Sequence, residues 1–477
     1  MARLSMFLPS YPVALIYMLQ STEYQAAPYL AWFWRVKDFR RVAHRRQLHH
    51  TNRARMLLLL LWTGIVIELC VGGGMIGWGL HDHHITLLLA GCFIVAVYPL
   101  LWAHLIVLPI IMARQFIVRP KEKALMNRAQ QQFASTKAVK IAIAGSYGKT
   151  TMKELLHTVL SEGKNVAASP ANKNVIFSHA AFAATLSGKE EVIVLEYGEG
   201  QPGDVPRFNK LFQPTIGVIT GLAPAHLDKY KIVQAAGKDI FSLADYVGPK
   251  NIFINNEAEA VSGFIQQGQH VYNRIGALGW KVGTVEVTLQ GMDLTLRSGK
   301  KSLKLHTGLV GEHLIGPLVL CVAFAKELGL SDAQIKAGVA KTRPFEHRME
   351  PRPLAGGWII DDTYNGNLEG VRAGLALLKT LKAKRKTYVT PGLVDQGDAS
   401  ETVHRELGRL IADAGPERVV LMRHTVTPWI EAGLKEGGYN GELRIEDDPL
   451  DFYTKLEHLI AVGDVVMMQN DWPDNYN

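Results

Sequence analysis

The chain has 477 residues, a formal net charge of +8 and a pI near 9.1. That length accommodates roughly three domains, and the positive balance raises nucleic acid as a partner. The placement of the charge speaks against it. Arg35, Lys37, Arg40, Arg41, Arg45, Arg46, Arg53 and Arg55 crowd one N-terminal segment instead of spreading over the body of the chain. Cys70, Cys92 and Cys321 lack close spacing, which leaves neither a zinc site nor a disulfide framework.

In chain order, residues 1–56 are a basic segment with an apolar beginning. Met6 to Leu19 is short for a span and carries Pro9 and Pro12, so it is expected to lie at an interface or re-enter rather than cross. Tyr29, Trp32 and Trp34 beside Arg35 have the make-up of an aromatic, basic membrane anchor, and the arginines suit anionic lipid headgroups. Residues 57–112 hold two apolar runs, Leu57 to Leu80 and Ile85 to Met112, each longer than the ~20 residues a spanning helix needs. The loop between them, His81 to His84, has no Lys or Arg, whereas both outer flanks are basic. The positive-inside rule then predicts a transmembrane hairpin with both ends in the cytoplasm, a multi-pass protein of the inner membrane. Glu68 is an intramembrane carboxylate, read as a protonated or helix-paired side chain. Residues 113–136 are a linker.

From Lys137 onward, apolar strands alternate with amphipathic helices, the pattern of an α/β fold with a largely parallel sheet. Strands are predicted at 139–144, 191–196, 215–220 and 251–255, and a hairpin around Gly291. A helix follows from Ile315 to Leu328. After Pro344 a second α/β unit is predicted, with strands at 358–361, 387–390, 418–421 and 465–468 and helices at 368–381 and 402–414.

The chemistry is concentrated at Gly145-Ser146-Tyr147-Gly148-Lys149-Thr150-Thr151, between the strand ending at Ala144 and a helical pattern. Strand, glycine turn, lysine, hydroxyls and helix N-terminus form a polyphosphate cradle. Lys149 is placed to reach the terminal phosphates, and Thr150 or Thr151 to offer a hydroxyl to magnesium. The loop is shorter than the usual P-loop because Ile143 stands where its first glycine would be. Glu196, at the end of an apolar strand, is positioned to hold magnesium on the phosphates. His226 is a loop histidine suited to a second metal, and Lys238 lies on a predicted helix.

These motifs, in this order, resemble the Mur ligases of peptidoglycan synthesis, and within them the type that adds the D-alanyl-D-alanine dipeptide. The resemblance rests on Gly-x-x-Gly-Lys-Thr-Thr followed by Lys153-Glu154, Asn172 and Asn174, Glu196, Gly203-Asp204, Thr220, Ala225-His226-Leu227 and Lys238. It continues through Asn255, Gly311-x-His313, Arg348 and Asp361-Asp362-Thr363-Tyr364-Asn365-Gly366-Asn367. It implies a central ATP-binding domain over residues 137–345 and a C-terminal Rossmann-like domain over 346–477. ATP would activate a carboxylate to an acyl phosphate, which an amine attacks to give an amide. By the same resemblance Lys149, Glu196, His226 and Lys238 serve catalysis. Thr150, Glu196, His226 and a carbamoylated Lys238 hold magnesium, while the loop, Asn255, Arg348 and Asp362 bind the nucleotide after domain closure.

Three departures qualify the likeness. Thr-Asn is Thr220-Gly221, the family's Gly-x-His-Asn-x-x-Asn ends in Leu314 and Pro317, and Lys-Gly-Ser is Gln469-Asn470-Asp471. The UDP-substrate domain is replaced by the apolar hairpin. The expected function is therefore a membrane-anchored ligase joining a muropeptide, small or lipid-linked, to an amino acid or dipeptide. A nucleotide-binding scaffold for wall synthesis and a folate- or cyanophycin-type ligase are the alternatives.

Overall fold

A computed structural model describes residues 2–40, 42, 48–170, 175–223, 230, 232–364, 366–394 and 396–470. The chain divides into two units, residues 1–124 and 125–477.

In the first unit the apolar runs form helices Asn52–His81 and Ile85–Leu105, the latter continued by Val107–Ala113 and a π-helical turn, Arg114–Val118. The Thr51 hydroxyl caps the first by accepting the Ala54 N–H at 3.2 Å. Glycines let the two backbones approach: a Cβ on Gly91 would stand 2.7 Å from the Gly72 carbonyl oxygen. Both helices are long and apolar enough to cross a membrane by length and composition. Leu59, Val66, Leu89 and Phe93 point outward and are exposed. Glu68 accepts a hydrogen bond from the Trp102 indole, so the carboxylate is helix-paired, as read from sequence.

The N-terminal segment packs on the two long helices. Helices Tyr11–Ser21 and Ala26–Arg35 bury Tyr11, Leu15, Tyr29 and Phe33 against Leu57, Leu61, Ala103 and Ile106. Two phenols fasten them: Tyr11 donates to the Pro99 carbonyl at 2.7 Å and Tyr29 to the Ala103 carbonyl at 2.9 Å. Trp34 remains exposed. Of the basic cluster, Arg41, Arg45 and Arg46 lie outside the described residues.

The second unit contains two sheets. Strands β1 (Val139–Ala144), β2 (Val166–Ala168), β3 (Val192–Glu196), β4 (Ile216–Ile219), β5 (Ile252–Asn255), β6 (His270–Asn273), β7 (Gly276–Ala277), β8 (Trp280–Thr288), β9 (Gly291–Ser298) and β10 (Lys301–Thr307) form the first. Its order is β10-β9-β8-β7-β6-β5-β4-β1-β3-β2. From β2 to β6 the pairing is parallel, and beyond β6 it is antiparallel. The predicted hairpin is thus part of an antiparallel meander, β7 to β10, that extends the same sheet.

Helices cover both faces of the parallel part, which explains its unbroken apolar strands. Ile141, Ile143, Val192 and Val194 pack on one side with Leu156 and Val159 of helix Lys149–Leu160 and Val322 of helix Ile315–Glu327. Ala142, Ile193, Leu195 and Ile219 face Phe208, Phe212 and Ile240 on the other.

The second sheet comprises β11 (Glu350–Leu354), β12 (Gly357–Asp362), β13 (Arg385–Thr390), β14 (Arg418–Met422), β15 (Glu442–Glu446) and β16 (Asp464–Gln469), in the order β11-β12-β16-β13-β14-β15. All neighbours are parallel except β11 with β12. The four predicted strands are its centre. The two unpredicted ones are its edges, where polar residues and the prolines of β11 are tolerated.

Leu156 is fully buried in the core beneath the loop-bearing helix. Leu156→Ala should lower the stability of this unit by about 3 kcal/mol, measured as a reduced urea midpoint of purified protein at unchanged m-value.

Candidate active site

The site begins where β1 ends. Gly145 (φ 145°) and Gly148 (φ 74°) adopt conformations that disfavour a side chain, and a Cβ on Gly145 would lie 2.3 Å from Thr220 Oγ1. The turn is pinned to the strand beside it: Ser146 N–H donates to the Gly221 carbonyl at 3.0 Å, and the Thr220 hydroxyl donates to the Tyr147 carbonyl. Helix Lys149–Leu160 starts directly after Gly148, so its free N–H groups and positive dipole end open onto the loop.

Four charged side chains are buried behind this turn. Lys149 Nζ donates to the Gly145 carbonyl at 2.5 Å and to Glu199 Oε1 at 2.7 Å. Thr150 Oγ1 donates to Glu196 Oε1 at 2.7 Å, and Lys153 Nζ lies 3.3 Å from Glu196 Oε2. Lys153 has no exposed surface, while Glu196 and Glu199 keep only 4% and 5%. Each lysine is matched by a buried carboxylate, as burial of charge requires, and Lys153 also lies 3.3 Å from Glu154 Oε1.

In front of the turn lies a cavity of about 450 Å³, lined by Tyr147, Gly148, Thr151 and Thr220, by Asn255 and His313, and by Arg348, Tyr364 and Asp362 from the second sheet's side. The Tyr147 ring occupies the space a side chain at position 221 would need: a Cβ on Gly221 would lie 2.2 Å from its Cζ. At the far wall the Arg348 guanidinium stacks 4.5 Å over the Tyr364 ring, and burial pushes it below its usual range. Met349 N–H and Gln469 Nε2 donate to Asp362 at 3.1 and 2.7 Å. Burial nevertheless lifts the Asp362 carboxyl to about 6, because desolvation outweighs those bonds and the Arg348 charge. Burial, aided by the Arg274 charge, drives His313 down to about 4, and its Nδ1 has no hydrogen-bond partner among the described residues.

The structure therefore brings together Gly145, Ser146, Tyr147, Gly148, Lys149, Thr150 and Thr151 with Glu196, and sets Asn255, Arg348 and Asp362 around the cavity that the loop opens onto. Lys238 is the exception. It is exposed on helix Val233–Val247 and makes no hydrogen bond or ion pair among the described residues. The inward residue is Asp239, which accepts from Gly203 N–H at 2.8 Å and from the Tyr230 hydroxyl at 2.9 Å. One residue along a helix is a turn of ~100°, enough to carry a side chain from one face to another. Among the described residues Lys238 therefore meets none of the other residues assigned to the metal. His226, with Ala225 and Leu227, lies outside the described residues, as do Asn172, Asn174, Asn365 and Asp471.

Among the described residues no three His, Cys, Asp or Glu side chains cluster as a complete metal cage. Magnesium nonetheless suits the oxygens present. Thr150 Oγ1 and Glu196 form a hard-oxygen pair, and the buried Glu196 Oε2 accepts no hydrogen bond among the described residues, with Lys153 Nζ 3.3 Å away. Gln469, where the family pattern has lysine, is a structural residue: its amide joins Asp362, Tyr388 and the Gly370 carbonyl. The sequence reading missed the partnership of Glu199 with Lys149 and the burial of Lys153. A signal for the first was present, an acid flanked by Gly198 and Gly200 just past the strand end.

A phosphate-binding loop at the carboxyl edge of a parallel sheet, facing a second α/β sheet across one cavity, defines a nucleotide-dependent class of α/β protein. Residues 143–325 match the Mur ligase middle domain, and the chain carries that domain of the Mur ligase family. The UDP-N-acetylmuramoyl-tripeptide–D-alanyl-D-alanine ligase of Mycobacterium leprae is 26% identical over 69% of this chain and 70% of its own length. The enzyme of the same name from Borreliella burgdorferi is 26% identical over 60% of this chain and 62% of its own. The chain thus spans between about three-fifths and seven-tenths of these relatives. The MurF ligase from Thermotoga maritima in complex with ADP shares the fold, with a TM-score of 0.64 at 19% identity, over 73% of this chain and 80% of that one.

Because folding raises the Asp362 pKa from an ordinary 3.8 to about 6, the native state binds more protons than the unfolded chain between those values. The penalty for ionising Asp362 is absent below pH ~4, grows as pH rises, and is complete above ~6. Wild-type stability relative to Asp362→Asn should accordingly fall by about 2 kcal/mol between pH 4 and 7 and then level off, as read from paired denaturation curves.

Proposed function

We propose that this protein is a membrane-anchored, ATP-dependent ligase that joins the carboxylate of a peptidoglycan precursor to an amine through an acyl phosphate. The observation that carries the reading is the common cavity. Tyr147, Gly148 and Thr151 of the loop line one space of about 450 Å³ with Arg348 and Asp362 opposite, and Lys149 and Glu196 are buried behind that loop. Phosphoryl transfer asks a protein chiefly for alignment and charge neutralisation, and these groups supply both. The loop N–H groups and Lys149 would hold the terminal phosphates, and Arg348 would face them from the opposite wall. Thr150 and Glu196 would hold magnesium, which when bound neutralises phosphate charge. Asp362 and Asn255 are suited to hydroxyls of the nucleoside.

The names of the relatives support a muropeptide acceptor and an amino-acid or dipeptide amine. The departures at Gly221, Leu314 and Pro317, together with an apolar helical unit in the N-terminal 124 residues, favour an altered, lipid-linked acceptor handled at the cytoplasmic face of the inner membrane. The two long helices present apolar side chains outward, and hydrocarbon is the solvent that does not penalise them. The arginines near residues 35–55 would contact anionic headgroups. A pure scaffold has no use for the paired buried lysines and carboxylates, and soluble acceptors of the folate or cyanophycin type gain nothing from the anchor.

Detergent-solubilised protein given ATP, magnesium, D-alanyl-D-alanine and either lipid-linked or UDP-linked muropeptide should release ADP and phosphate and yield a product of amide mass from the lipid-linked acceptor. Product from the UDP-linked form alone would refute the altered-acceptor reading, and no nucleotide turnover with any acceptor would refute the ligase. Lys149→Ala should reduce turnover at least about a hundredfold while the far-ultraviolet spectrum stays that of the folded chain.

A further inference from the structure

Lys149 has three N–H donors, and two already have acceptors, the Gly145 carbonyl and the Glu199 carboxylate at 2.7 Å. Glu199 is 5% exposed, so it cannot relax into water where it stands. Just behind, Lys153 is matched by Glu196. The four buried groups carry two positive and two negative charges, and the partly exposed Glu154 adds a further carboxylate 3.3 Å from Lys153, so the cradle behind the loop holds no surplus positive charge. A polyphosphate brought to Lys149 must displace the Glu199 carboxylate or lie beside it as a like charge. Both routes cost free energy in a site that water does not screen.

We infer that Glu199 is an internal competitor for Lys149 that makes nucleotide binding at this loop depend on a divalent cation. This rests on the nucleotide reading of the loop and adds a residue that sets its metal requirement. Thr150 and Glu196 lie on the same loop and strand end, so a cation held there compensates the negative charge that the two carboxylates add to the phosphates. Without a cation, the helix N-terminus and Arg348 are the attractions left unspent. Glu199 acts through Lys149 and is a positioning residue.

The test is ADP binding by calorimetry to the full-length detergent-solubilised chain, in magnesium and in EDTA. Wild type should bind with magnesium and much more weakly without it. Glu199→Gln, which keeps the shape and removes the charge, should bind ADP in EDTA roughly tenfold more tightly than wild type and show a smaller magnesium dependence. Glu199→Asp, whose shorter arm weakens the contact to Lys149, should move in the same direction by less. A stabilising role alone predicts a lowered thermal midpoint and weaker binding in both variants. Folded variants that bind metal-free ADP no better than wild type therefore overturn the inference and leave the nucleotide site standing. Wild type that binds no ADP even with magnesium overturns both.

Discussion

A carboxylate buried at the end of β3 organises the rest of the site. Glu196 keeps 4% of its surface, and at that depth an ionised group must be satisfied by the protein. Its partners all come from elsewhere in the chain. Thr150 and Lys153 approach from the helix after the loop, and Ser169 accepts the Glu196 N–H at 3.0 Å. Those contacts fix the azimuth of helix Lys149–Leu160 about its axis, and with it the direction in which the loop N–H groups point. The apolar side of the same helix, through Leu156 and Val159, is held by the core. The site is therefore precise because one helix is gripped on two faces by unlike forces.

Much of the fold was legible in the residues for a specific reason. Strands β1, β3, β4 and β5 are buried on both faces, so they read as continuous apolar runs, and their predicted bounds fall within a residue or so of those observed. β10 alternates Leu303 and Leu305 with Ser302, Lys304 and His306, and β15 is largely charged; edge and one-sided strands carry too little apolar signal to stand out from loops. In the site, the loop residues and Glu196 announced themselves through glycines and strand ends. Contacts that exist only through space did not. Lys153-Glu154 reads as a surface dipeptide, yet Lys153 is wholly enclosed. Tyr147 and Gly221, 74 positions apart in sequence, are complementary in volume.

The second sheet contributes a wall with an unusual charge balance. Asp362 is half-neutral near pH 6 while Arg348, stacked on Tyr364, has its charge only partly offset. His347 and Met349, on either side of Arg348, adopt left-handed backbone angles of 60° and 48°. The segment that aims the arginine is thus held in a conformation side chains disfavour, and its neighbours pay for that: His347 Nδ1 pairs with the buried Asp361 at 2.9 Å, and Met349 N–H binds Asp362. Position is secured here by polar fastening, in contrast to the packing beneath the loop.

The phenol of Tyr11 grips a carbonyl 88 positions further along the chain. At ribosomal speeds of 5–20 residues per second, roughly 4–18 s separate the synthesis of the two partners. Throughout that interval the opening helices have only each other and helix Asn52–His81 to lean on. The hydrogen bonds from Tyr11 and Tyr29 to the Pro99 and Ala103 carbonyls are consequently among the last contacts of this unit that synthesis permits.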